Sequence, residues 1–252
     1  MLNAQYKKKM KKFLIILASL AVIGYLIFSA IYFNDSSKNE VCNKFEVIVK
    51  DSVHTQFIHQ KDIEDLLKRK KIYPVGKTMN EINTLQILDT ILTNKLVKSA
   101  EVYTAQNGLV VANIYQREPV LRVISDTRGS FYIDNNRERM PVSPNFTIYV
   151  PVATGAIDEE YAQNELYDFA EFLNENPDWN AWIDQIVVKP NKDVDLIPRV
   201  GDFRIAFGKL DNYSEKLDRF ALFIEKGLNV VGWNRYSEIN LKYDNQVVCT
   251  KR

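Results

Sequence analysis

The sequence predicts an α+β fold carried behind a single N-terminal transmembrane helix: first a small β-α-α-β-β unit, then a mixed α/β domain that closes in a terminal antiparallel hairpin. Three observations predict it. An uncharged apolar run near the N-terminus is about as long as a bilayer core is thick. Two amphipathic helical patterns follow a single β-rich run, and beyond Glu118 the pattern changes to strands interrupted by single helices.

The chain has 252 residues, 46% of them apolar, which suits one large or two small globular domains. Its formal charge of +1 gives no basic surface of the kind that binds nucleic acid. The charge is uneven, because Lys7, Lys8, Lys9, Lys11 and Lys12 precede the apolar run "FLIILASLAVIGYLIFSAIYF" from Phe13 to Phe33. At 1.5 Å per residue this run of about 21 residues spans roughly 30 Å, the thickness of the hydrocarbon core. Phe13 and Phe33 bound the anchor, which is the one contact with membrane lipid. By the positive-inside rule residues 1–12 form a cytoplasmic basic tail, and everything after Asn34 lies outside. A cleaved signal peptide fits less well: the run is long, and Phe28 stands where a small residue would precede Ala30 at a cleavage site.

Residues 34–43 read as a polar tether, and residues 44–118 as the first folded domain. In "KFEVIVK", Phe45, Val47 and Val49 alternate as in a half-buried strand. "QKDIEDLLKRK" puts Ile63, Leu66 and Leu67 on one helical face. "TMNEINTLQILDTILTN" repeats the pattern with Ile82, Leu85, Leu88 and Leu92, and Thr78 with Glu81 has the spacing of a capping box. "VKSAEVYTA" and "GLVVANIYQ" flank Asn107 and Gly108, a pair that favours the type I′ turn of a hairpin.

Residues 119–252 form the second domain. "VLRVIS", "SFYID" and "IYVPVA" read as strands. Asp158 begins a helix with Leu166, Phe169, Ala170 and Leu173 on one face, ending before Pro177, with Trp179 and Trp182 beside the following turn. "IDQIVVKP", "DVDLIP" and "FRIAF" are further strands. Asn212 and Glu215 start a helix carrying Leu217, Phe220, Ala221 and Ile224, with Gly227 placed to cap it. "YSEINLKYD" and "QVVCT" pair about Asp244 and Asn245.

Residues suited to chemistry are few. "VGKT" at Val75 to Thr78 lacks the upstream glycine of a phosphate loop, since Lys71 stands there. His54 and His59 are the only histidines and have no partners to complete a metal site. Asp158, Glu159 and Glu160 suit a helix start. Asp193 and Asp195 flank Val194 on one face of a strand, although "KPNKDVD" reads more simply as a solvated turn. Cys42 and Cys249 sit at opposite ends of the folded region, with nothing in the sequence to bring them within bridging distance. No catalytic residue, metal or cofactor is expected, and the chain does not read as an enzyme.

Several segments together resemble the bacterial division family FtsQ, called DivIB in Gram-positive organisms. "LVKSAEVYTAQNGLVVANIYQREP" is similar to the end of that family's POTRA domain and its E-R-x-P turn, and "SFYIDNNRERMPVS" to the following hairpin, with Asp134 in a D-x-x-G turn. "FRIAFGKLDNYSEKLDRFALFI" resembles the strand, L-G-x step and K-L-x-R helix near the family's end, and "YSEINLKYDNQVV" its terminal I-D-L-R-Y hairpin. Gln116 stands for the usual Glu, Asn136 for Gly, Phe207 for Leu and Lys242 for Arg. Asn136 would still accept a left-handed backbone, whereas Lys242 cannot grip a carboxylate with two parallel bonds.

The resemblance implies a POTRA domain followed by an FtsQ-type β domain. It also implies a non-catalytic scaffold at the division septum of the cytoplasmic membrane, with the bulk of the chain extracytoplasmic. Its partners would be FtsB (DivIC-like), FtsL and other divisome proteins, and its role to recruit and regulate septal peptidoglycan synthesis. A membrane-anchored envelope enzyme or ligand-binding sensor is the alternative. Pro119 falls where the first domain gives way to the second, with Arg117, Glu118 and Arg122 expected to pair across that junction or face water. Gln246 to Arg252 are expected to form a final strand at a sheet edge, open to a partner strand. Partner binding is assigned to Lys242, Tyr243, Asn245, Gln246, Val247, Val248 and Thr250. Lys242 would meet a partner carboxylate, and Lys216 and Arg219 would extend a basic rim. A proline at Val248 would remove a donor from the edge if that residue faces the open side.

Overall fold

The computed structural model describes residues 2–36, 40–50, 57–142 and 148–252, without the side chains of residues 2–9 and 31–36. The chain divides into two compact units. The first comprises Met1–Asp51, Ile58–Asn94 and Ser99–Tyr115; the second comprises Ser52–Phe57, Lys95–Lys98 and Gln116–Arg252.

In the first unit α1 runs from Leu2–Ser36, and within it Met10–Ala30, 21 residues, is long and apolar enough to cross a membrane. The helix includes the basic segment expected as a separate tail, because lysine is a good helix former. It also takes in the first residues of the expected tether. The tether's last residues are structured too: Val41 bridges to Thr78, the Cys42 N–H donates to the Lys77 carbonyl and Gly76 N–H to Cys42, and Cys42 is buried. The "VGKT" segment is thus a docking site for the chain that leads into the first strand.

That strand, β1 (Lys44–Val49), is followed by α2 (Gln60–Arg69), a 3₁₀ turn (Met79–Glu81), α3 (Thr84–Leu92), β2 (Val97–Ala105) and β3 (Leu109–Gln116). The sheet order is β1-β3-β2, with β1 parallel to β3 and Phe45 opposite Val110. The most continuously apolar strand, β3, is therefore central and buried from Val110 to Ile114. Asn107 (φ 62°) and Gly108 (φ 67°) both adopt the left-handed conformation that their hairpin turn demands.

In α2, Ile63 and Leu67 are buried as expected, whereas the second helix differs from its sequence pattern. The Thr78 N–H does donate to the Glu81 carboxylate at 3.3 Å, but this box starts only the 3₁₀ turn. Ile82 is extended, and Asn83 caps α3 through the Gln86 N–H at 3.0 Å. Starting the helix at residue 84 turns its buried face to Ile87 and Ile91 and leaves Leu85 69% exposed.

The second unit is a nine-stranded sheet in the order β12-β11-β10-β9-β8-β7-β4-β5-β6. Its strands are β4 (Pro119–Ser125), β5 (Gly129–Asp134), β6 (Arg139–Pro141), β7 (Val152–Gly155), β8 (Ile183–Val188), β9 (Val194–Pro198), β10 (Arg204–Gly208), β11 (Tyr236–Asn240) and β12 (Val248–Lys251). The helices α4 (Glu159–Gln163), α5 (Glu165–Glu175) and α6 (Pro177–Trp182) join β7 to β8, and α7 (Tyr213–Phe223) leads from β10 to β11. Both of these connected pairs are parallel, as helical crossovers require.

Leu166, Phe169, Ala170 and Leu173 of α5 and Leu217 and Phe220 of α7 are buried in one core with Phe131, Ile133, Ile186, Leu196, Phe207 and Ile239. Pro177 opens α6 at its first turn, where a missing N–H costs nothing, so Trp179 and Trp182 lie on a helix rather than beside a turn. Their rings meet Phe220 at 6.2 and 5.2 Å. Gly227 does not cap α7. It lies in a π turn (Ile224–Leu228) that runs into α8 (Asn229–Val231), and the helical segment stops at Gly232 (φ 95°). Ala221 is exposed, so the buried face of α7 is narrower than expected. The strand expected over Ile148 to Ala153 forms later, as β7.

Candidate partner-binding edge

β12 is the outermost strand at one end of the nine-stranded sheet. It pairs antiparallel with β11 through Tyr236↔Lys251, Glu238↔Thr250, Ile239↔Cys249 and Asn240↔Val248, with a bulge between Tyr236 and Glu238. The strand begins at Val248, two residues later than the sequence suggests, and residues 241–247 form the connecting loop. The Arg252 N–H donates to the Arg235 carbonyl at 3.3 Å, and the Ser237 hydroxyl to the Thr250 carbonyl at 3.4 Å. Backbone groups alternate between the two sides of a strand, so those of Val248 and Thr250 face β11 while those of Cys249 and Lys251 face the open side. A proline at Val248 would therefore disturb the β11 ladder, not the open edge.

The side chains of Val248 and Thr250 are exposed. Cys249 and Val247 pack partly against the core, and burial raises the Cys249 thiol pKa. Cys42 and Cys249 are both free thiols. In the loop, Tyr243 is 51% exposed, Asn245 adopts φ 59°, and Gln246 is exposed. Among the described residues, 243–247 make no hydrogen bond or ion pair.

The basic residues behave differently from the expected rim. Lys242 is occupied within the chain: its Nζ lies 2.8 Å from Asp193 Oδ2, which holds the Asp193 carboxyl below and the Lys242 ammonium above their ordinary pKa values. Lys216 is buried, its side chain only 8% exposed, and its ammonium meets Asp211 and donates to the Lys209 carbonyl at 2.8 Å. It closes the start of α7 instead of facing outward, because Asn212 offers that helix no side-chain cap. Arg219 is half-buried and donates to the Leu241 carbonyl at 3.2 Å, fastening the end of β11.

Asp193 and Asp195 are not in a solvated turn. Asp193 is 17% exposed between Lys242 and Lys209, whose Nζ is 3.5 Å from its other oxygen. Asp195 is buried on β9, 2.8 Å from Lys189 and 3.9 Å from Arg204, and Arg204 reaches Glu238 of β11 at 2.6 Å. A line of alternating charge thus crosses the sheet face and ends beside β12. Sequence reading missed Asp193 as part of the edge, since its partner lies 49 positions away.

At the junction, Arg117 is neither solvated nor loosely paired. Its Nε lies 2.8 Å from buried Asp134, its Nη2 3.3 Å from Glu138, and its Nη1 donates to the Lys95 carbonyl at 3.2 Å, all within the second unit. Asp134 also accepts the N–H groups of Asn136 (3.0 Å) and Glu138 (2.8 Å). The left-handed position in this turn falls on Arg137 (φ 62°), not on Asn136. Glu118 accepts from Asn135 at 3.0 Å, and Arg122 donates to Tyr132 at 2.8 Å. Pro119 opens β4, which proves to be an inner strand between β7 and β5. The proline is tolerated because it is the first residue, at a shift in register with β5, three positions before pairing with β7 begins at Arg122.

Phe13 is exposed on the apolar helix, while the side chain of Phe33 and all of His54 lie outside the described residues. His59 precedes α2, its N–H donating to Asp62 at 3.0 Å. Among the described residues no group of three His, Cys, Asp or Glu could hold a metal ion. A cleft of about 500 Å³ is lined by Asp158, Tyr161, Glu165, Lys192, Lys209 and Asp211 among others, and burial pushes the Tyr161 hydroxyl pKa up to about 12.

Compared with known families, residues 118–250 match the model described as FtsQ/DivIB, C-terminal related, which is more than half of the chain, and residues 40–115 match that of a POTRA-like domain. No curated protein matches the chain.

Proposed function

The chain belongs to the FtsQ/DivIB family, and from that premise we propose that it is a non-catalytic divisome scaffold whose β12 edge takes up a strand from an FtsB-type (DivIC-like) partner accompanied by FtsL. In this reading the N-terminus is cytoplasmic and the two folded units lie outside the membrane, at the division septum. There the protein helps recruit and regulate septal peptidoglycan synthesis, and further divisome proteins engage other surfaces. One observation carries the proposal: β12 ends the sheet, with the backbone groups of Cys249 and Lys251 directed away from β11. Such an edge supplies affinity through main-chain bonds and specificity through alternate side chains. Val248 and Thr250 would flank the added strand on one face and Cys249 and Lys251 on the other, with Tyr243 at its end.

A pair of proline variants of the full chain tests this, measured by affinity for the extracytoplasmic segments of FtsB and FtsL. Cys249→Pro should abolish binding with little loss of stability, because it deletes a donor from the open side. Val248→Pro should instead destabilise the fold, by roughly 1–3 kcal/mol, because it removes a donor from the β11 ladder. Full binding by a folded Cys249→Pro variant would sink the edge model. The sensor alternative would instead use the cleft around Tyr161, and it would gain ground if substitutions there, and not at the edge, abolished division.

A further inference from the structure

We propose that Asp193 is the positioning residue of the β12 edge: by holding Lys242 it sets the loop that delivers the chain into β12, and so controls how well a partner strand is received. The inference rests on the edge-binding reading above and deepens it.

The loop is fixed at one end from within the sheet. The Leu241 N–H donates to the Ala206 carbonyl at 3.0 Å, the Leu241 carbonyl accepts from Arg219, and the Leu241 side chain is buried. Lys242 is the corner that follows, its N–H turned back onto Asn240 Oδ1 at 3.0 Å. Beyond it residues 243–247 are without hydrogen bonds or ion pairs, so among the described residues the Lys242 ammonium makes the loop's one polar side-chain link to the rest of the unit.

Its acceptor is held rigidly. In the β8–β9 turn the Asp193 N–H donates to Asn191 Oδ1 at 3.1 Å, and the Asp193 carbonyl accepts from the Lys189 N–H at 2.8 Å. Lys209 holds the second carboxylate oxygen and itself donates to the Asn191 carbonyl. The lysine stem lies against Gly208 (φ 81°), where any Cβ would stand 3.0 Å from Lys242 Cγ. Three connectors, β8–β9, β10–α7 and β11–β12, thereby meet at one carboxylate. An edge whose approach loop is already ordered gives up less conformational entropy on binding. Removing the carboxylate leaves β11 and β12 paired but frees the approach to them.

The test uses the full chain in detergent micelles, wild type against Asp193→Ala and Asp193→Glu. One measurement is the rate of chymotryptic cleavage after Tyr243; the other is affinity for the FtsB and FtsL extracytoplasmic segments. Asp193→Ala should speed cleavage and weaken binding roughly tenfold, and Asp193→Glu should recover most of both. Asp193→Asn, which keeps the side chain's shape, serves if the alanine variant fails to fold. Unchanged cleavage, or faster cleavage with unchanged affinity, overturns the positioning role. A wild-type chain that fails to bind the pair sinks the edge reading itself, whereas a binding wild type indifferent to Asp193 sinks only this proposal.

Discussion

Asp134 and Asp193 stand in comparable places, each at one end of a short turn between antiparallel strands of one sheet, and each carboxylate meets a basic side chain at 2.8 Å. They differ in burial. Asp134 is fully buried and accepts two backbone N–H groups besides Arg117, whereas Asp193 keeps 17% of its side chain exposed and holds two lysines at the surface. A buried charge is costly to leave unpaired, so the first pair is bound up with folding itself; a partly exposed pair is screened by water and can constrain a loop without governing stability.

The largest effect should follow from Asp134→Ala, which strands Arg117 in the interior with only Glu138 and the Lys95 carbonyl. A loss of about 3–5 kcal/mol in denaturant unfolding is expected. Asp134→Asn should cost less, since an amide oxygen can still accept the turn's N–H groups. A loss below about 1 kcal/mol for the alanine variant would erase the contrast. Asp193→Ala should cost about 1 kcal/mol or less in the same measurement, its effect appearing in the loop and in binding.

The smallest effect is in titration. Asp193 has a lowered pKa, so its contribution is fully present above the ordinary carboxylate value of 3.8 and is lost only as pH falls through the lowered folded value. Lys242 has a raised pKa, so its share is present below 10.5 and is lost as pH rises through the raised value. Carbon-13 shifts of the Asp193 carboxyl should titrate below 3.8 in the wild type, and the Lys242 midpoint should fall back toward 10.5 in Asp193→Ala. Ordinary midpoints for both would mean that the contact is not maintained in solution.

Local pattern carried much of this fold. The alternation around Phe45, the Asn107-Gly108 turn and the helical spacing of Leu166, Phe169, Ala170 and Leu173 each express a rule spanning a few residues, and the strands and helix appear where those rules put them. The rules failed at helix ends. Thr78 was expected to start the second helix, but it starts only a 3₁₀ turn and Asn83 caps α3, whose buried face holds Ile87 and not Leu85. Gly227 was expected to stop α7, but a π turn carries the chain past it to Gly232. At the candidate edge the sequence placed a final strand but could not give its orientation. Which of Val248 and Cys249 turns its backbone outward depends on register with β11 and on the bulge there.

The sequence by itself therefore determined the apolar N-terminal run and most of the strands and helices, because these follow from periodicity and composition over short windows, while the family showed in whole matched segments such as "YSEINLKYDNQVV". Only the tertiary structure decided what each charge does. Lys216 and Lys242 look alike as basic residues near a hairpin, yet one is buried against Asp211 and the other is held by Asp193. The physical reason is that an ion pair is fixed by which strands and connectors the sheet order brings together, and residues 193 and 242 become neighbours only when β9, β10 and β11 lie side by side.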